Sequence, residues 1–314
     1  VYGLRKYILK RIGIAFIVLS LIVLILFMLL EFMPGSPFND EKLSDDQIAV
    51  LYHKYGLDQP IFIRFGKYLG SLVQGDFGVS YTISKNTPIS MLLDSRLPVS
   101  LRIGGQAVLF GSVIGLILGL IAALKHNTIL DTLTTIVSVL GVSLPSYVFA
   151  LALSYEFGFK MRLFPLIYDI NKGFYSSILP TIALSMFTIA TIARFTRTEM
   201  LDVLGSDYIL LAESKGISGP RLIFRHAIRN ALIPIITVLA PLIVGLMTGS
   251  LVVEKIFSIP GIGSLMVQAI QANDFNVVIT LAFIYSFMYV VAMLTVDILY
   301  GIIDPRIRLA KGDR

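Results

Sequence analysis

Apolar runs of about the length of a bilayer recur along this 314-residue chain, and nothing else in it constrains the fold as strongly. A helix needs about 20 mostly apolar residues to cross the hydrocarbon core. Inside that core the backbone has to satisfy its own hydrogen bonds, which a helix does residue by residue. Runs of this kind are read at Ile12–Met33, Leu101–Leu124, Leu133–Phe157, Ile178–Ala193, Ala231–Val253 and Val277–Ile302. The fourth is short and contains Pro180. The predicted fold class is an all-α integral membrane protein with six transmembrane helices.

Composition narrows the chemistry. Hydrophobic residues make up 56% of the chain and charged ones 15%, against roughly 45–50% and about a quarter in soluble domains. The chain has no cysteine, which removes disulfide scaffolds, thiol catalysis, iron–sulfur clusters and cysteine-ligated zinc. Its three histidines, His53, His126 and His226, lie far apart in sequence, so no metal site is expected. A net charge of +6 is read against membrane topology rather than as a nucleic-acid footprint. The first apolar run follows Arg5, Lys6, Lys10 and Arg11 as in a signal peptide. It is too long for one, however, and Pro34–Gly35–Ser36–Pro37 follows in place of a small-residue cleavage site. An uncleaved anchor helix is expected.

Lysine and arginine placement sets the expected orientation. With six spans, the N-terminus, Lys125, the segment from Arg194 to Arg229 and the tail with Arg306, Arg308, Lys311 and Arg314 share one side. Together they hold fifteen of the 26 basic residues. Residues 34–97 are polar, with six basic and seven acidic residues, and show no such bias. The expected organisation is therefore a cytoplasmic N-terminus and first helix (1–33) and an extracytoplasmic segment (34–97). A five-helix core (98–303) with a cytoplasmic loop (197–230) and a cytoplasmic tail (304–314) complete it.

Gly111, Gly115 and Gly119 repeat at intervals of four, a pattern that lets two helix backbones approach closely in lipid. Packing inside the bundle is the plainer reading, and a surface along which helices slide is the other. Gly245 and Gly249 repeat the spacing once. Among ionisable residues near or within spans, Glu31, Arg102, Glu156 and Arg194 lie close to span ends, where long side chains reach the interface. Asp297 lies deepest, where structural pairing and a wet path are the two readings. No dense acid and histidine series of the kind a proton relay requires is present.

The loop 197–230 is the most informative segment. Ser206 and Asp207 suit the start of a short helix, Lys215 its C-terminal end, and Gly216 its stop. Two turns of helix are too short to be stable alone in water, so this one should dock on something. Arg221, Arg225 and Arg229 recur every four residues and predict one basic helical face, which headgroups and topology explain in part.

The residues Ala212–Gly216 (A-E-S-K-G) followed by Arg225–Pro234 (R-H-A-I-R-N-A-L-I-P) resemble the permease signature of ATP-binding-cassette (ABC) importers. In particular they are similar to its peptide (oligopeptide, dipeptide, nickel) branch. Gly75–Ser80, Leu97–Leu101, Ala122–Asn127, Ser143–Tyr147, Ser206–Tyr208, Val252–Gly263 and Val296–Arg308 extend the likeness along nearly the whole chain. Glu213 and Ser214 stand where the branch usually has Arg and Ala. Arg229 stands near the place of the broader signature's Pro, as the branch permits. The Pro34–Phe38 turn looks more like that of oligopeptide permeases than of dipeptide or nickel ones.

The resemblance implies a type I ABC importer permease in the plasma membrane of a prokaryote. It would line a peptide path with a homologous second permease, be fed by an extracytoplasmic binding protein, and be driven by two cytoplasmic ATPases that carry ATP and Mg. It also implies coupling to those ATPases through Asp207, Tyr208, Ala212, Glu213, Lys215, Gly216, His226, Arg229 and Asn230. The chain itself has no G-x-x-x-x-G-K-[ST] phosphate loop. It is therefore expected to be non-catalytic and to bind no cofactor or nucleic acid. Residues 34–97 and Glu254–Gly263 are expected to form the outer face that receives the binding protein. Two rivals remain: a lone ion- or proton-coupled secondary transporter, and a membrane-embedded hydrolase, for which no histidine–serine or His-Glu-x-x-His pattern speaks.

Overall fold

A computed structural model of the chain describes residues 2–32, 45–54, 56–247 and 251–303. The Pro34–Phe38 turn, Gly249 and the charged tail from Asp304 lie outside the described residues, and the side chains of Glu31 and Asp297 are likewise not described. Within that set the chain is helical: α1 (Tyr2–Glu31), α2 (Asp45–Lys54), α3 (Ile61–Val73), α4 (Ile89–Leu124), α5 (Ile129–Ser143), α6 (Ser146–Leu153), α7 (Gly173–Leu204), α8 (Asp207–Ser214), α9 (Gly219–Leu222), α10 (Ile228–Met247), α11 (Leu251–Ile256), α12 (Ile262–Gln271) and α13 (Phe275–Ile303). Five of the described helical stretches are long and apolar enough to cross a membrane, or six if the bent pair α5 and α6 counts as one span.

Three spans differ from the sequence expectation, each for a local reason. The third is a bend of 104° and not one rod. Pro145 forces Leu144 out of the helical region (ψ 130°), which ends α5. Pro145 itself, at φ −61°, starts α6, whose last turns widen into a π-helical stretch over Ser154–Lys160. The fourth span is not short: α7 runs 32 residues with Pro180 inside it, about 48 Å at 1.5 Å per residue. Arg194 and Arg197 are therefore still on the helix. The second begins at Ile89, so the expected boundary at residue 97 falls inside α4, which carries Pro98 without breaking.

By contact the chain forms two units, Val1–Val99 with Pro260–Val291 and Ser100–Ile259 with Ala292–Arg314. In the first, Ile89 and Leu93 of α4 bury against Ile262, Leu265 and Ala269 of α12 and Val277 and Leu281 of α13. Asp274, fully buried, pins the preceding loop. It accepts from Ser80 Oγ (2.5 Å) and from the backbone N–H groups of Tyr81, Thr82 and Ile83. The Gly75–Ser80 motif thus has a structural use: Gly78 sits at φ +73° where a Cβ would lie 2.7 Å from Asn276 Nδ2, and that amide donates to Val79 O. Phe27 of α1 meets Phe65 and Tyr68 of α3 with centroids 5.5 and 6.0 Å apart.

In the second unit α7 is the central helix, buried along most of its length. The α4 glycines bring its neighbour close. A Cβ on Gly111, Gly115 or Gly119 would stand 2.8 Å from Thr188 Cβ, 2.8 Å from Ile192 Cβ and 2.5 Å from Ala193 O. Gly141 does the same for α5, 2.7 Å from Ala190 Cβ. The stripe is a packing seam. By contrast, nothing lies within 4 Å of a Cβ on Gly245.

Gly119→Val is therefore expected to separate α4 from α7 at a cost of about 1–3 kcal/mol from overpacking, seen as a lower thermal midpoint of the purified protein in detergent. Gly245→Ala is expected to stay within about 0.5 kcal/mol of the original. Equal midpoints for the two variants would contradict the seam.

Candidate functional site

The loop that follows α7 is built as a docked hairpin of short helices. α7 closes at Gly205, and Ser206 turns the chain into extended backbone (ψ 151°). Its hydroxyl donates back to Val203 O and makes no cap to α8. The expected Ser206 cap is thus a backbone cap only, and Asp207 supplies the negative charge at the first turn. The other end follows the expectation closely. Ile217 N–H donates to Ala212 O (3.1 Å) and Gly216 N–H to Glu213 O (2.8 Å), with Gly216 at φ +79°. That pair of bonds is a Schellman motif, and it needs the left-handed residue that glycine supplies at least cost.

Burial divides α8 into two faces. Ile209 and Ala212, three residues apart, are buried with Ala123, Met200, Leu222, Ala227 and Ala231, and Ile217 packs against the same cluster. The opposite face carries Tyr208, Leu210 and Leu211, exposed at 43%, 66% and 56%, with Phe224 beyond at 67%. Asp207, Glu213, Ser214 and Lys215 are exposed around them. An eight-residue helix that shows two leucines and a tyrosine to solvent has an unfilled apolar face bordered by charges of both signs. A lone Leu on a surface is ordinary; here Tyr208, Leu210 and Leu211 form an exposed apolar group on a helix whose other apolar residues, Ile209 and Ala212, are buried.

The basic segment is less regular than its spacing predicts. Gly219 (φ +60°) and Pro220 open α9, and a π-helical turn over Ile223–Ala227 then intervenes before α10. Arg221, Arg225 and Arg229 are all exposed, but that wide turn interrupts the single α-helical face expected of them. His226 is half-buried in the turn, and its carbonyl accepts from Asn230 Nδ2 (3.0 Å). Of the nine predicted coupling residues, Ala212 is core and Gly216 closes a turn. His226 and Asn230 brace the π turn, and Asp207, Tyr208, Glu213, Lys215 and Arg229 are exposed. Sequence reasoning missed Leu210 and Leu211, because Ile209–Leu210–Leu211 reads as one apolar run until burial separates it.

It also missed a polar cluster beside the helices that carry α8. Asp131, buried in the first turn of α5, accepts from Arg197 Nε (2.5 Å) and Nη2 (2.9 Å) on α7. The Asn127 backbone N–H (3.0 Å) and His126 Nδ1 (3.1 Å) complete its surroundings. Elsewhere, Arg102 and Arg194 are exposed, and Glu156 pairs with Lys160 at 3.2 Å. Glu254–Gly263, expected to form part of an outer face, is largely buried. Glu254, Phe257, Ile259, Gly261, Ile262 and Gly263 are buried and only Lys255, Ser258 and Pro260 are exposed. Glu254 accepts from Ser100 Oγ (2.8 Å), and Phe257 O accepts from Tyr168 N–H (2.8 Å).

Residues 115–309 match the family described as binding-protein-dependent transport system inner membrane component, and residues 4–103 match the family of its N-terminal component. The chain is 44% identical over 305 residues to the dipeptide transport system permease protein DppB of Lactococcus lactis subsp. cremoris (strain MG1363), covering 97% of this chain and 99% of that protein. It is 38% identical over 304 residues to the oligopeptide transport system permease protein OppB of Salmonella typhimurium, covering 96% and 99%. Among solved structures it resembles a chain of the inward-facing MetNI methionine ABC transporter, with a TM-score of 0.55 at 16% identity, over 69% of this chain and 98% of that one. A chain of an amino acid ABC transporter gives 0.54 at 18% identity, over 68% and 94%. These two likenesses carry the fold, which is that of type I ABC transporter permeases.

Ile209→Ala is expected to release α8 at a cost of about 2–5 kcal/mol in buried contacts, giving faster protease cleavage between residues 205 and 218. Leu210→Ala is expected to leave the cleavage rate nearly unchanged. The reverse order would mean that the two faces have been assigned backwards.

Proposed function

We propose, from the premise that this chain belongs to the binding-protein-dependent transport system inner membrane component family, that it is the permease subunit of an ATP-driven peptide importer. It lines the path with a homologous second permease in a prokaryotic plasma membrane. Both termini and the loop 197–230 face the cytoplasm, where two ATPase chains dock. An extracytoplasmic binding protein delivers cargo to the opposite side. Near full-length likeness to permeases of both dipeptide and oligopeptide systems supports peptide as the cargo class. The chain-length preference is a property that an uptake profile measures.

One observation carries the coupling mechanism: α8 is locked from behind by Ile209 and Ala212 and offers Tyr208, Leu210 and Leu211 in front. Seated in a groove of the ATPase, it is pushed when nucleotide closes the ATPase pair. Because its back face is continuous with Met200 of α7 and Ala231 of α10, the push reaches the spans. Alternation of the cavity between its two sides follows from that movement, with ATP and Mg held by the partner chains.

The bend at Pro145 is a feature that secondary transporters also use. Full-length kinship with permeases of peptide systems outweighs it. Uptake of labelled peptides of several lengths into vesicles holding the whole complex tests both readings, with and without Gly216→Pro. Proline cannot adopt φ +79°, so the α8 turn is lost. The expected outcome is ATP-dependent uptake by the original complex and loss of at least about tenfold in a variant that still assembles. Peptide movement without ATP, or normal transport by the variant, would favour the lone transporter.

A further inference from the structure

Asp131 and Arg197 lie 66 residues apart in sequence and meet in a two-pronged ion pair in which both nitrogens of one guanidinium edge reach the two carboxylate oxygens. Three more features converge on the same place. Asn127 takes a left-handed conformation (φ +59°) and points its backbone N–H at Asp131 Oδ2. His126 Nδ1 lies 3.1 Å from that oxygen and 3.2 Å from Arg197 Nη2. Gly119 of α4 presses against the same stretch of α7, where a Cβ would be 3.1 Å from Arg197 N. The α4–α5 turn, the first turn of the bent span and the lower part of α7 are therefore tied at one buried carboxylate.

Arg197 is three residues, about one turn, before Met200, and Met200 is buried against Ile209 and Ala212 of α8. Only Leu201–Ser206 then separates this part of α7 from the start of α8. On the other side, Asp131 sits at the head of α5, which leads to the 104° bend at Leu144–Pro145. Topology alone asks only that Arg197 be positive and on the correct side, and a solvated side chain would serve. A fork onto a buried carboxylate, with one backbone donor from Asn127 and a neighbouring imidazole, does more. Sliding α5 along α7 would strand the buried carboxylate without its cation, which is strongly unfavourable, so the two helix ends move together.

We propose that the Asp131–Arg197 pair is a positioning clamp that carries displacement of α8 to the bent span α5–α6, so that peptide import stays tied to ATP hydrolysis. This rests on the peptide-importer reading above. The clamp touches neither cargo nor nucleotide and acts through the helices it joins.

The test reconstitutes the complete transporter in vesicles, with binding protein and labelled peptide, and measures peptide imported per ATP hydrolysed. The variants are Arg197→Ala, Asp131→Asn and Arg197→Lys. Arg197→Ala and Asp131→Asn are expected to assemble and hydrolyse ATP within about twofold of the original while importing about tenfold less peptide per ATP. Arg197→Lys keeps the charge without the fork and is expected to restore part of the ratio, which a purely packing role would not produce. An unchanged ratio in both loss variants overturns the clamp. So does failure of both to assemble, since the pair would then be needed for folding alone; where only Arg197→Ala fails, the near-isosteric Asp131→Asn decides. Original vesicles that hydrolyse ATP and import no peptide would refute the importer reading itself, an outcome distinct from normal import with undisturbed stoichiometry in the variants.

Discussion

Helices in hydrocarbon gain nothing from hiding apolar surface from one another, because lipid tails are as apolar as leucine, and so they associate by close contact. In this chain that contact is the approach of α4 and α5 to α7, made possible by Gly111, Gly115, Gly119 and Gly141. With no Cβ at these places, backbone and β-carbons of α7 fill the space directly. The long central helix is held on two sides, and its far end becomes a fixed platform. The short helix α8 has meaning only because that platform exists. Two turns of helix would not persist in water, yet Ile209 and Ala212 seat this one against Met200 and the start of α10.

A rigid platform with an apolar ridge in front is what transmission of force from another protein requires. The charges are arranged to suit this. Asp207 and Glu213 flank the ridge and Lys215 follows it, while Arg221, Arg225 and Arg229 remain exposed on the return stretch. Two other buried carboxylates, away from α8, have hydrogen-bond partners that hold the fold: Asp274 gathers a loop through four donors, and Glu254 receives Ser100. The absence of a phosphate-binding loop agrees with membership of the binding-protein-dependent transport system inner membrane component family, and the proposed lever role of α8 leaves ATP chemistry to other chains.

Much of this was legible in the sequence. Apolar runs gave the spans, Gly216 gave the end of α8, and the order of short motifs gave the kinship. What was not legible has physical causes. The bend at Leu144–Pro145 lies inside a run whose mean hydropathy stays high despite Ser143, Pro145 and Ser146, and hydropathy is blind to direction. Arg194–Leu204 reads as loop because it is polar, although its residues continue α7. The split between Ile209 and Leu210 needs a partner surface to define inside and outside. Asp131 and Arg197 stand too far apart for any local pattern to join them. Counting spans places Glu254–Gly263 outside but says nothing about burial, and Phe257, Ile259 and Ile262 are buried.

The central claim is that the Leu210 face of α8 is cytoplasmic and is covered by the ATPases. The chain has no cysteine, so Leu210→Cys creates a single thiol at the centre of the ridge. Labelling it with a membrane-impermeant maleimide, in vesicles of known orientation with and without the ATPase chains, tests the claim most directly. The expected result is rapid labelling from the cytoplasmic side alone and strong protection when the ATPases are bound. Labelling from the opposite side, or a rate indifferent to the ATPases, would contradict it.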